Sequence, residues 1–104
     1  MDKTTVSNII EFLRNEIHIL GIELEGIALF GSQLTGNNTP ESDIDLIIVS
    51  DCFENKNIFE RANITKNAEI AALKKYHIPM DILKMTTNEF NNGLLKKKFY
   101  AVYV

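Results

Sequence analysis

Apolar residues near the start of the chain recur at intervals of three and four, which is the spacing of an amphipathic helix. These residues are Val6, Ile9, Ile10, Leu13, Ile17 and Leu20. Gly21 follows them at the position where a helix commonly stops. We therefore predict a first helix that ends before Gly21 and whose apolar face covers one side of a sheet.

Two short apolar runs predict the first two strands. One covers residues 27–30, and the other covers residues 43–50. The second run is almost continuously apolar after its first residues, which is typical of a central strand buried on both faces. Residues 33–42, between the two runs, contain glycine, asparagine and proline and therefore predict a loop, with or without one helical turn.

Helix-favouring residues fill the segment 57–76 and predict a second long helix. We expect the following positions of this helix to be buried: Ile58, Phe59, Ala62, Ile70, Ala71 and Leu73. Pro79 cannot continue a helix, so the helix must end before it.

The remaining residues predict three further elements. Residues 80–85 form a third strand, and Thr86 or Thr87 caps a short helix that runs to about Lys97. Residues 100–104 are rich in strand-forming side chains and predict a final strand.

This order of elements predicts an α/β (α+β) fold in which helices cover a small mixed sheet. The length of 104 residues predicts a single domain over residues 1–104. No internal repeat or linker is visible.

Composition excludes several classes of protein. The formal net charge is −3, whereas proteins that hold long nucleic acids by charge carry a basic face. No apolar run approaches the ~20 residues that span a bilayer, and the polar N-terminus lacks a signal peptide, so we expect a cytoplasmic location. Cys52 is the only cysteine, which excludes an intramolecular disulfide.

The most informative polar residues are Asp43 and Asp45, which open an otherwise apolar strand. Residues two apart on a strand share a face, with Cα atoms ~6.6 Å apart, so both carboxylates can converge on one divalent cation. Mg²⁺ is commonly held by one or two carboxylates together with substrate phosphates. This pair alone is equally compatible with a solvent-exposed start of the strand.

Gly31 and Ser32 follow the first strand and add a second feature. A glycine lets the backbone approach a ligand closely, and backbone N–H groups at such a turn bind phosphate oxygens. The dipeptide alone is more often a simple turn. Its significance comes from the short loop that joins it to the two carboxylates.

Together these residues resemble the minimal nucleotidyltransferases of the DNA polymerase β-like superfamily. The matching positions are Gly31, Ser32, Gly36, Ser42, Asp43, Ile44, Asp45 and Leu46. The resemblance extends over the whole chain and implies a nucleotidyltransferase fold. It also implies a third carboxylate on a later strand, at Asp81. Asp81 alternates with apolar neighbours, so the lesser alternative is that it simply faces water.

The resemblance further implies that the chain transfers a nucleoside monophosphate, most simply AMP from ATP, to an acceptor hydroxyl. Asp43, Asp45 and Asp81 would be the catalytic residues and the ligands of the Mg²⁺ cofactor. The nucleotide would be bound by Gly31, Ser32, Gly36 and Ser42.

Many similar proteins are antitoxins paired with a HEPN-type ribonuclease toxin, so the resemblance implies such a protein as partner and acceptor. Gln33 and Thr35 depart from the family pattern, since Thr35 replaces a frequent arginine. Thr35 lacks the planar multi-donor fork with which arginine contacts phosphate. The alternative is a catalytically weak protein that only binds and neutralises its partner. The aromatic residues near the C-terminus are also compatible with a homo-oligomer, and antibiotic nucleotidylation is a more remote alternative.

Overall fold

The computed structural model describes residues 3–31, 43–93 and 102–104 of the 104-residue chain. The elements are α1 (Lys3–Ile19), β1 (Gly26–Phe30), β2 (Ile44–Val49), a 3₁₀ turn (Asp51–Phe53), α2 (Ile58–Tyr76), β3 (Met80–Met85), α3 (Thr87–Asn92) and β4 (Val102–Tyr103). The predicted order of helices and strands is confirmed.

The four strands form one mixed sheet in the order β3-β2-β1-β4. Strand β2 lies inside the sheet, parallel to β3 and antiparallel to β1, and β1 is antiparallel to β4. All residues of β2 except Asp45 are buried. The prediction of a central strand and of a small mixed sheet covered by helices is therefore confirmed.

Alternate residues of β2 face the two sides of the sheet and join two separate clusters of apolar side chains. Ile44, Leu46 and Ile48 pack with the buried residues of α1 and α2. Ile47 and Val49 pack on the opposite face, where α3 contributes a phenylalanine. Burial on both faces explains why the sequence of this strand is almost continuously apolar.

Helix α1 buries every predicted apolar position except Leu20, which is 39% exposed. The Gly21 N–H donates to the carbonyl of His18 (2.9 Å), and the Ile22 N–H donates to that of Ile17 (3.3 Å). These two bonds and the left-handed φ of 79° at Gly21 form a Schellman motif that ends the helix. The chain turns away at this point, which leaves Leu20 outside the core.

Helix α2 begins and ends at capping residues. The side chain of Asn57 accepts from the N–H of Glu60, and the Glu60 carboxylate accepts from the N–H of Asn57, each at 2.9 Å. At the other end His77 adopts a left-handed backbone, with φ of 54°, and donates its N–H to the carbonyl of Leu73. Pro79 follows, as predicted from its inability to continue a helix.

The predicted buried face of α2 is wrong. The buried residues are Thr65, Ala68 and Ala72. Of the six positions expected in the core, only Ala71 is even half-buried, and the other five are exposed: Ile58, Phe59, Ala62, Ile70 and Leu73. Helix α2 therefore packs its small residues inward.

A polar network explains this orientation of α2. The hydroxyl of Thr65 donates to the carboxylate of Glu69, which also accepts from the ammonium of Lys84 in β3 at 3.0 Å. Arg61 reaches the carboxylate of Glu89 in α3. These contacts fix one face of α2 against the sheet, and the hydrophobicity of single residues in the sequence does not reveal them.

Helix α3 begins at a capping box between Thr86 and Glu89, which confirms the predicted start. It ends at Asn92 rather than at about Lys97, because Gly93 has an extended backbone. Residues 94–97 of the predicted helix lie outside the described residues. The final strand is confirmed over Val102–Tyr103, next to β1.

The two long helices have 17 and 19 residues and carry many charged side chains. In the described part of the chain, no helix is both long and apolar enough to cross a membrane.

The corrected orientation of α2 predicts opposite outcomes for two neighbouring substitutions. Ala72 is fully buried, so Ala72→Leu overpacks the core and lowers the free energy of unfolding by about 1–3 kcal/mol. Leu73 is 49% exposed, so Leu73→Ala changes it by less than about 0.5 kcal/mol. Urea denaturation of both variants measures the difference. If Leu73→Ala lowered the free energy of unfolding more than Ala72→Leu does, α2 would bury the face that the sequence predicts.

Candidate active site

Three carboxylates lie at one end of the sheet, and we call Asp43, Asp45 and Asp81 the acid row. Asp45 in β2 is paired with Asp81 in β3. Neighbouring strands are ~4.8 Å apart, and residues paired in a parallel sheet point to the same face. Asp43 lies immediately before the first residue of β2, close enough for its charge to raise the pKa of Asp45. The fold therefore brings together three acids that are far apart in the sequence.

The acid row lies at the end of an apolar strand because the alternation of β2 places it there. Ile44, between the two acids, points into the α1–α2 core. Asp45 points to the other face, where Ile47 and Val49 continue as buried apolar residues. Asp45 is thus half-buried at the boundary between core and solvent, whereas Asp43 and Asp81 are exposed.

The surroundings of Asp45 disfavour its negative charge. Burial raises the pKa of its carboxyl above the usual value, and the charges of Asp81 and Asp43 raise it further. The described residues form three ion pairs, and none of them includes the acid row. The negative charge of the row is thus uncompensated by the described side chains, and a cation bound there would favour the ionised form of Asp45.

Gly31 lies directly against the Asp45 carboxylate. Its φ of 77° is in the left-handed region, and a Cβ at this position would lie 2.9 Å from Cγ of Asp45 and closer still to one carboxylate oxygen. Any larger residue would be strained and would displace the acid. Gly31 was predicted to let the backbone approach a ligand. In the structure, its lack of a Cβ leaves space for the Asp45 carboxylate. The other predicted nucleotide-binding residues, Ser32, Gly36 and Ser42, lie outside the described residues.

The chemistry of the acid row fits a hard divalent cation. Carboxylate oxygens are the ligands that Mg²⁺ prefers, and Mg²⁺ usually retains several waters and completes its shell with substrate phosphates. Within residues 3–31, 43–93 and 102–104, no group of three or more His, Cys, Asp and Glu side chains is already arranged as a metal site. The three acids thus share one end of the sheet without forming a metal site by themselves.

Sequence reasoning did not single out Phe30 as part of this site. Phe30 is the last residue of β1 and is paired with Asp45, so its half-buried ring lies beside the acid row. The only signal in the sequence was its position immediately before Gly31. The register between β1 and β2, which determines this neighbour, is not visible in a single sequence.

Comparison with known proteins shows the family of the chain. The family model for the nucleotidyltransferase domain matches residues 6–102. Among curated proteins, no sequence matches the chain.

Solved structures share the fold. A proposed nucleotidyltransferase from Sulfolobus solfataricus is 19% identical, with a TM-score of 0.60 over 99% of this chain and 87% of that one. A toxin–antitoxin structure with AMP-PNP is 23% identical, with a TM-score of 0.51 over 75% of this chain and 55% of that one. BolA1 from Arabidopsis thaliana is 21% identical, with a TM-score of 0.52 over 78% and 94% of the two chains. Because one fold supports several functions, these likenesses show the fold alone.

The raised pKa of Asp45 predicts how stability depends on pH without divalent ions. The folded state holds this proton more tightly than the unfolded state does, so stability falls as pH rises from about 4 through the raised pKa. Asp45→Asn lacks this loss and is more stable than wild type at pH 7, by less than ~1 kcal/mol because water screens the half-exposed carboxylate. Thermal unfolding in EDTA measures the effect.

Glu54→Gln is the matched control for that measurement, because it removes one negative charge from an exposed site in the turn after β2. It should leave the pH dependence as it is in wild type. Lower stability of Asp45→Asn than of wild type at pH 7 would contradict the electrostatic account.

Gly31 and Gly21 offer a second matched pair. Both have left-handed backbones, so an alanine costs about 1–2 kcal/mol of stability at either position. Only at Gly31 does the new Cβ displace Asp45, because nothing lies within 4 Å of one at Gly21. We expect Mg²⁺ to raise the melting temperature of wild type and of Gly21→Ala but not of Gly31→Ala. If Mg²⁺ raised the melting temperatures of both variants equally, the contact between Gly31 and Asp45 would not be needed for binding the ion.

Proposed function

Because the chain belongs to the nucleotidyltransferase domain family, we propose that it transfers AMP from ATP to a hydroxyl group on a partner protein. The observation that supports this activity most directly is the parallel pairing of Asp45 with Asp81, which gathers the acid row on one face beside Gly31. The chain would act as a single domain over residues 1–104, in the cytoplasm.

In this proposal the acid row binds the phosphates of ATP through a metal ion. Asp43, Asp45 and Asp81 would hold Mg²⁺, which supplies the positive charge that the triphosphate and the reacting oxygens need. Gly31 and Ser32, with Gly36 and Ser42, would bind and orient the phosphates through backbone N–H and hydroxyl groups. These last three residues enter the proposal from the sequence motif alone.

The proposed reaction is an in-line displacement at the α-phosphorus. The acceptor oxygen forms a bond to this phosphorus, the bond from phosphorus to the oxygen that bridges to the β-phosphate breaks, and pyrophosphate leaves. Asp81 takes the proton of the acceptor hydroxyl, because it is the exposed acid on the edge strand β3 and is open to an incoming group. Asp45, which is more buried, would hold the Mg²⁺ that binds the nucleotide.

A protein acceptor is the simplest match to this chain. The formal net charge of −3 disfavours a long nucleic acid as acceptor. A structure that shares the fold is a toxin–antitoxin complex containing AMP-PNP, an ATP analogue. We therefore propose a HEPN-type toxin as the partner, with a tyrosine hydroxyl as the acceptor.

A second candidate function is binding without turnover. Gln33 and Thr35 depart from the family pattern, and Thr35 removes a guanidinium that would contact phosphate. In that case the chain neutralises the same partner by covering a surface of it. The two functions differ in whether neutralisation needs the acid row.

The test is to mix the chain with a HEPN-type toxin that it neutralises, ATP and Mg²⁺, and to measure the mass of that partner. The proposal predicts a gain of one AMP, and a loss of roughly 10²–10⁴-fold in rate for Asp81→Asn if Asp81 is the base. Glu54→Gln should retain the wild-type rate. An unchanged mass with both proteins folded would contradict catalysis, and neutralisation that survives Asp45→Asn would favour binding alone.

A further inference from the structure

The outer face of α2 exposes large apolar side chains. Phe59 is 81% exposed and Ile58 is 73% exposed at the start of the helix, and Ile70 and Leu73 are 42% and 49% exposed further along. We call this surface the outer face of α2. An exposed stripe of this kind on one helix is typical of a surface that binds another protein.

The spacing along the outer face fits another helix. Residues at i, i+3, i+4 and i+7 form the holes that receive side chains of a partner helix in knobs-into-holes packing. One such set consists of Phe59, Ala62, Asn63 and Lys66. The next consists of Lys66, Glu69, Ile70 and Leu73.

A groove lies on these two sets and has a volume of about 330 Å³. Its lining residues are Phe59, Ala62, Asn63, Lys66, Glu69 and Ile70. Phe59 and Ile70 are the large apolar residues of this lining, and Ala62 is its small one. The groove therefore has the shape that accepts one large apolar side chain from an adjacent helix.

The charge of the outer face is positive, although the chain as a whole is acidic. Lys66 and Lys74 are exposed, and no ion pair among the described residues includes them. The acids of the helix are engaged, since Glu69 accepts from Lys84 and Glu60 caps the start of α2. A complementary partner carries carboxylates beside its apolar residues.

These charges argue against a second copy of this chain on the same face. An antiparallel pair of α2 helices related by a two-fold axis, with Phe59 opposite Leu73, places Lys66 opposite Lys66. A parallel pair places each lysine opposite itself. Like charges face each other in both arrangements, and this disfavours self-association.

We propose that the outer face of α2 docks an amphipathic helix of a different protein, whose apolar stripe is flanked by Asp and Glu side chains. The docked helix lies on the layer that packs against Ile44, Leu46 and Ile48, on the opposite face of the sheet from the acid row. A partner held there leaves the acid row open. The inference rests on α2 alone and does not require the proposed transferase activity.

The experiment uses two synthetic peptides of three heptads, both with leucine at positions a and d. One carries glutamate at e and g, and the other carries lysine there. Fluorescence anisotropy with the full chain should show saturable binding of the glutamate peptide and binding at least ~10-fold weaker of the lysine peptide. The double variant Lys66→Glu, Lys74→Glu should reverse this preference.

Phe59→Ser should weaken binding of the glutamate peptide at least ~10-fold, as expected of a large aromatic contact that lines the groove. Ile19→Ser is the matched control, because Ile19 is 73% exposed on a different helix, and this variant should bind as wild type does. Circular dichroism checks that both variants remain folded.

Four results would overturn the proposal. They are no binding of the glutamate peptide, equal binding of both peptides, a wild-type dimer in sedimentation that Phe59→Ser dissociates, and binding to anionic phosphatidylserine vesicles in place of the peptide. The last two would assign the outer face to a second copy of the chain or to a membrane surface.

Discussion

The parallel pairing of β2 with β3 is the interaction on which the site depends. It sets Asp45 beside Asp81, and it continues to Val49 and Met85 through pairs that are apolar except at Lys84, opposite Ile48. A slip of one residue would turn Asp81 to the opposite face, because side chains alternate along a strand. The apolar residues of β2, buried on both faces, hold this register. The same packing that stabilises the fold therefore forces the carboxylates together despite their repulsion.

Many of the helices and strands can be predicted from the sequence. Apolar periodicity predicts α1, continuous apolar character predicts β2, and Gly21 and Pro79 mark true ends of helices. The family model matches residues 6–102, a range that contains Gly31 and Asp45. These features are local, because each depends on residues that are neighbours in the chain or on one turn of a helix.

What the sequence does not predict depends on contacts between distant residues. The buried face of α2 is stabilised by hydrogen bonds that link Thr65, Glu69 and Lys84 between the helix and β3. Hydrophobicity alone favours the face that carries Phe59, and that face is exposed. The contact between Gly31 and Asp45 likewise needs the register of two strands. The sheet then separates two surfaces, with the acid row on one side and the outer face of α2 on the other.

The most direct test of the account is to locate a divalent ion on the folded chain. Mn²⁺ can replace Mg²⁺, and it broadens the NMR signals of nearby backbone amides. A divalent-ion site at the acid row predicts broadening at Gly31, Asp45 and Asp81 when Mn²⁺ is added, and its reversal by excess Mg²⁺. Broadening confined to Glu25 and Asp51, near Tyr103 at the other end of the sheet, with these three amides unaffected, would contradict it.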